Sequence, residues 1–150
     1  MKRYALYALS VLLTFTATTG FSQNNNTKPK QFNNFPATIN CSDQELAKVF
    51  TATAGQLINL SFSNSFIFAG TVKNNVVKYA NLQTAVVVSP AYSNTIFSVS
   101  KITNPDGSIT YLGRIINKNY FDGFELKKNA SGYQLVKMET DRVIQDCTQL

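Results

Sequence analysis

Thr95-Ile96-Phe97-Ser98-Val99-Ser100-Lys101-Ile102-Thr103, Asn104-Pro105-Asp106-Gly107, Ser108-Ile109-Thr110-Tyr111-Leu112-Gly113-Arg114-Ile115-Ile116 is the stretch that decides the fold. Two runs rich in β-branched and aromatic residues, alternating in polarity with period two, flank four residues of turn chemistry. Proline presets φ and Gly107 supplies a positive φ, so the chain must reverse here and pair antiparallel with itself.

The same signature repeats outward in both directions. On the C-terminal side, Gly123–Lys128 and Tyr133–Met138 flank Asn129-Ala130-Ser131-Gly132, and Arg142 to Cys147 adds an edge strand in this reading. On the N-terminal side, Leu82–Ser89 ends at Pro90, and its Val86-Val87-Val88 is apolar on both faces, as in a central strand. Before it come Val76–Ala80, a turn at Asn74-Asn75, and a hairpin in which Ile58, Leu60 and Phe62 pair with the run from Phe66 to Val72 across Asn64-Ser65. The period changes only upstream of Gln56. Ser42-Asp43-Gln44-Glu45 has the spacing of a capping box, in which Ser42 accepts from the Glu45 amide and Glu45 reaches back. Leu46, Val49 and Phe50 follow at helical spacing up to Gly55, predicting a helix over 43–54. One helix and about eight locally connected strands give an α+β fold, mainly antiparallel β. The N-terminal helix packs on a twisted meander sheet or partly closed barrel; a two-sheet sandwich with the helix at one end is the alternative.

The first 22 residues have the layout of a signal peptide: Met1-Lys2-Arg3, an apolar run from Tyr4 to Phe15, then small residues to Ser22. The run is too short to span a bilayer. Its Phe-Ser-Gln end resembles the leaders of exported bacterial proteins, implying a periplasmic or secreted location with no stable membrane span in the mature form. Cleavage before Gln23 leaves 128 of the 150 residues and, with Lys2 and Arg3 gone, a formal charge of +4 in place of +6. The remaining basic residues are scattered and form no phosphate-binding stripe, which argues against nucleic acid. Residues 23–37, rich in Asn, show no period and read as a flexible lead-in to a single domain over 38–150.

Cys41 and Cys147 bracket that domain. In an oxidising compartment a disulfide between them is the default, and the chain-entropy account gives a loop of this length about 4–5 kcal/mol. Catalytic chemistry is harder to assemble. The chain has no histidine, which removes the commonest general base and metal ligand together. Asp122 and Glu125 stand three apart and face opposite sides of a regular strand; Glu139 and Asp141 share a face near the terminus, beside Arg142. No metal-ligand spacing and no phosphate-cradling glycine loop occurs, so neither metal nor cofactor is implied. Aromatic residues in connections, Tyr92 after Pro90 and the pair Tyr120-Phe121, are the candidate contacts. These observations point to an exported, non-enzymatic module that binds a protein or a cell-envelope component. Two alternatives stand beside it. The layout of leader, β-meander and late cysteine is similar to β-rich propeptides of secreted metalloproteases, which implies an inhibitor acting through a free Cys147 thiolate. A carboxylate-based hydrolase would need one of the acidic pairs to converge in a cleft.

Overall fold

The computed structural model describes residues 28–142; the segment expected as a signal peptide, the start of the expected lead-in, Cys147 and the edge strand expected up to it lie outside the described residues. Nine elements follow in order: β1 (Thr38–Cys41), α1 (Asp43–Thr51), β2 (Leu57–Ser63), β3 (Phe66–Tyr79), β4 (Leu82–Ser89), β5 (Thr95–Thr103), β6 (Ile109–Ile116), β7 (Asp122–Asn129) and β8 (Gly132–Glu139). Single 3-10 turns occupy Pro90–Tyr92 and Thr140–Arg142. The strands form one antiparallel sheet in the order β1-β8-β7-β6-β5-β4-β3-β2, curled until its two edge strands face each other. One helix on a nearly closed, eight-stranded barrel is the architecture expected from the local turns.

The turn at Asn104–Gly107 forms as its residues dictate: Gly107 has φ +81°, its amide donates to the Asn104 carbonyl at 2.9 Å, and β5 and β6 pair without interruption from Thr103↔Ile109 to Ile96↔Ile116. Alternate residues of the strands face inward. Phe62, Phe66, Phe68, Val87, Phe97, Ile115, Phe124 and Leu135 fill the barrel.

Three elements depart from the expected pattern. Asn74-Asn75 is no turn, because β3 runs unbroken for 14 residues. Its register against β4 shifts at Lys73 and again at Lys78, so each lysine is the extra residue of a bulge. The first half of β3 is paired on both sides, with β2 and β4; the second, here called the arm, is paired with β4 alone, while the start of β4 stays paired with β5. The helix ends at Thr51, three residues early, because the chain turns extended at Ala52 and the sheet caps it. The side-chain amide of Asn75 donates to the carbonyls of Val49, Phe50 and Ala52 at 3.3, 3.0 and 2.8 Å, and that of Gln83 to Phe50 at 3.2 Å. Half of the capping box forms, with Ser42 Oγ accepting from the Glu45 amide at 3.3 Å. The Glu45 carboxylate turns away to the Ser61 amide at 2.9 Å, tying α1 to the exposed edge of β2.

Residues 28–37, expected as a flexible lead-in, are instead a strap across one end of the barrel. Phe32 is completely buried, with its ring 5.1 Å from that of Phe124 and 5.8 Å from that of Phe66. The strap closes one pole; α1 covers the other, beside the arm.

Candidate functional site

The strap pole gathers the aromatic residues singled out by their loop positions. Tyr92 turns inward: its ring stacks on Phe68 at 5.9 Å and lies 5.6 Å from Phe32, and its hydroxyl donates to the Ile67 carbonyl at 3.3 Å. Burial pushes its phenol above the ordinary value. Tyr120 donates to Ser93 Oγ at 3.3 Å, and Phe121 lies half-buried beneath the Lys30 ammonium, 6.0 Å from the ring centroid. The backbone around them is equally engaged. Phe121 donates to the Pro29 carbonyl at 2.9 Å and accepts from Thr140 at 2.7 Å. Tyr92 is therefore a core plug, while Phe121 holds the strap and Tyr120 ties the neighbouring connections at Ser93 and Thr140 together.

The carboxylates are dispersed. Asp122 is buried and accepts the Gln31 and Phe32 amides at 2.6 and 3.0 Å, one on each oxygen, which fixes the strap. Glu125 faces outward on β7, accepting from Arg114 at 3.0 Å, with Lys127 at 3.4 Å. The Arg114 hydrogen bond, with that of Lys127, outweighs partial burial and holds its carboxyl below the usual range. Asp141 sits in the final 3-10 turn and pairs with Lys28 at 2.9 Å. At Glu45 burial works upward, but hydrogen bonds from Lys48 and the Ser61 amide prevail, and its carboxyl lies below its ordinary value. No group of three or more cysteine or carboxylate side chains converges among the described residues.

Cys41 ends β1 with its side chain toward the core, 7% exposed, at the rim of a notch of about 700 Å³ where β1 meets β2. Burial, aided by the negative charge of Asp43, pushes its thiol up to about 12. Its expected partner, Cys147, lies outside the described residues.

The feature that loop position did not disclose is on the barrel's outer wall. Thr84, Val86 and Val88 of β4 face outward beside Ile96, Ser98 and Ser100 of β5, then Leu112, Arg114 and Ile116 of β6. Aligned rows result: Thr71-Val88-Ile96-Ile116, Asn74-Val86-Ser98-Arg114-Glu125 and Val76-Thr84-Ser100-Leu112. Neither β4 nor β5 contributes a charge to them. Ile96 is 40% and Leu112 53% exposed. A groove of about 420 Å³ runs along this wall between Ser98, Ser100 and Leu112 on one side and Glu125 and Leu126 on the other. It lies over the short stretch, Gly113–Ile115, where β6 and β7 pair; beyond Gly113 the strands part, and the Tyr133 hydroxyl accepts the Tyr111 amide at 2.9 Å. The apolar Val86-Val87-Val88 run was the available signal, since an outward-facing valine is informative only when no layer covers it.

No family model, curated protein or solved structure matches the chain. Among the described residues no helix is long and apolar enough to cross a membrane.

Proposed function

We propose that the protein is an exported, non-enzymatic interaction module whose outer wall over β4–β6 binds a protein or other component of the cell envelope. The observation that carries this reading is the wall over β4–β6, on which β4 and β5 contribute no charge while Ile96 and Leu112 stand exposed. Soluble proteins ordinarily break such a surface with lysine or glutamate; here the charges flank it as the Arg114–Glu125 pair, and the uncharged β4–β5 stretch beside them marks a contact area. The dispersal of the carboxylates into structural pairings supports binding over hydrolysis. The expected Cys41–Cys147 bond belongs to the same reading. In forming it both thiols give up their protons and pass two electrons to a disulfide oxidant, which is reduced to a dithiol. Thiol titration of the unreduced mature protein in denaturant should find none; two titratable thiols would remove the bond and return Cys147 to the inhibitor alternative.

The wall is tested by immobilising the mature chain and its Ile96→Lys/Leu112→Lys double variant and passing envelope extract over both. A component held by the first and lost by the second, with unchanged circular dichroism, is the expected result. Identical retention on both columns would overturn the assignment of the wall.

A further inference from the structure

Charge is unevenly distributed along the chain. From Leu46 to Pro105 it has four lysines and no aspartate or glutamate. Six of the seven exposed large apolar side chains of the described residues fall in the same span. They are densest on the arm, where Val76, Val77 and Tyr79 are 42%, 66% and 70% exposed. Lys73 and Lys78 stand at the bulges on either side of the two valines, and Lys101 borders a cleft with Val77, Tyr79 and Asn81. None of these three lysines forms an ion pair among the described residues. The acids at the ends of the span are engaged, Glu45 by Lys48 and the Ser61 amide, Asp106 by the Ser108 amide and hydroxyl at 2.9 and 2.6 Å. Bulged lysines guard a strand edge against pairing with a further strand, so the apolar run between them is no strand template.

We propose that the arm docks on the surface of an anionic lipid bilayer, with Val76, Val77 and Tyr79 at the boundary between headgroups and acyl chains and Lys73, Lys78 and Lys101 among the acidic headgroups. Charge complementarity selects an acidic partner, and each lysine near such a surface contributes roughly fivefold to partitioning. The placement of the valines selects a fluid one. Val76 pairs with Thr84 and Val77 with Gln83 in unbroken register, so the two side chains point to opposite faces of the strand. A rigid protein surface meets one face of an edge strand, whereas a bilayer interface wets both. Tyr79 suits the same depth, since its ring is apolar and its hydroxyl stays wet. The backbone sets the limit of entry: strand amides and carbonyls without partners are not tolerated in hydrocarbon, so the edge stays among the headgroups and only side chains pass below it. Docking is therefore peripheral and needs no membrane span. The inference rests on the reading of the chain as exported, and not on the partner of the β4–β6 wall.

Sucrose-loaded vesicles of phosphatidylcholine with a minority of phosphatidylglycerol should sediment the mature protein. Vesicles of phosphatidylcholine alone should bind it roughly tenfold or more weakly. Lys73→Gln/Lys78→Gln should lower binding to the acidic vesicles by roughly 25-fold. Lys127→Gln/Lys128→Gln removes the same charge from β7, four strands away, and should lower it by less than about threefold. The chain has no tryptophan, so Tyr79→Trp supplies a single emitter on the arm. Its fluorescence should shift to the blue on adding acidic vesicles and be quenched by brominated acyl chains. No sedimentation with acidic vesicles, equal losses in the two lysine doubles, or an emission that vesicles leave unchanged would each overturn the inference. Retention of an acidic envelope protein that depends on Lys73 and Lys78, without vesicle binding, would overturn it in favour of a protein partner. Vesicles carry no protein, so failure here leaves the extract test of the wall standing, and failure of that test leaves this one.

Discussion

The two poles of the barrel reverse what their sequences advertise. At one, the Asn-rich strap, with no periodicity of its own, sends Phe32 into the centre of an aromatic cluster and leaves it fully buried. At the other, Val76-Val77-Lys78-Tyr79, which reads as an apolar strand, lies exposed to solvent. The difference lies in what the neighbours supply. The strap is met by a buried carboxylate that accepts two of its amides, by Gln31 bonded to the Tyr92 carbonyl at 2.7 Å, and by Lys137 reaching the Phe35 carbonyl. The arm is met by nothing beyond β4 and the two amide side chains that cap the helix. Burial here is a property of the partner surface and not of the segment.

That contrast can be broken by measurement. Phe32→Ala should cost about 3–5 kcal/mol in chemical denaturation, whereas Val77→Ser in the arm should cost under about 0.5 kcal/mol; comparable losses would erase the distinction. Asp122→Ala leaves two buried strap amides unpaired and should cost about 2–4 kcal/mol, with faster proteolysis between Lys28 and Phe35; unchanged proteolysis would mean that Phe32 alone holds the strap. Asn75→Ala removes the arm's own side-chain tether to the body, leaving Gln83 as the remaining side-chain donor to the last carbonyls of α1, and should cost about 1–2 kcal/mol. The smallest effect lies at the β1/β2 seam. The Glu45 carboxyl is held below its ordinary 4.5, so its contribution is complete above that pH and is lost as pH falls through the lower folded-state value. Glu45→Gln should therefore lower stability most at neutral pH, where the contribution is complete, and least in acid, where it is already lost, so that the limb below 4.5 flattens; an unaltered limb would remove Glu45 from the seam's acid response.

The legible parts of this fold are those decided within a few residues. Proline and glycine at 105 and 107 force a reversal whatever surrounds them, and Ser42 caps whichever helix follows it. The parts that were not legible depend on groups far away in sequence. The Glu45 carboxylate prefers the unpaired Ser61 amide to the Ser42 amide beside it, because a strand edge that lacks a neighbour offers the better donor geometry. Asn75 carries turn chemistry but spends it on carbonyls more than twenty positions upstream. Tyr92 looks available because it follows a proline in a connection; its ring is drawn inward by Phe32, Phe66 and Phe68, the first of which lies in the segment that read as lead-in. The wall was half legible: Val86 and Val88 were visible as apolar, but only the absence of a second layer makes their outer face a surface.

The Lys28–Asp141 ion pair places the points where the described chain enters and leaves the barrel side by side at the strap pole. The helix and the arm lie at the opposite pole. Anything attached through either neighbouring segment is thus tethered at one end of the strands, and the barrel is oriented by that tether with its arm facing away from the anchor.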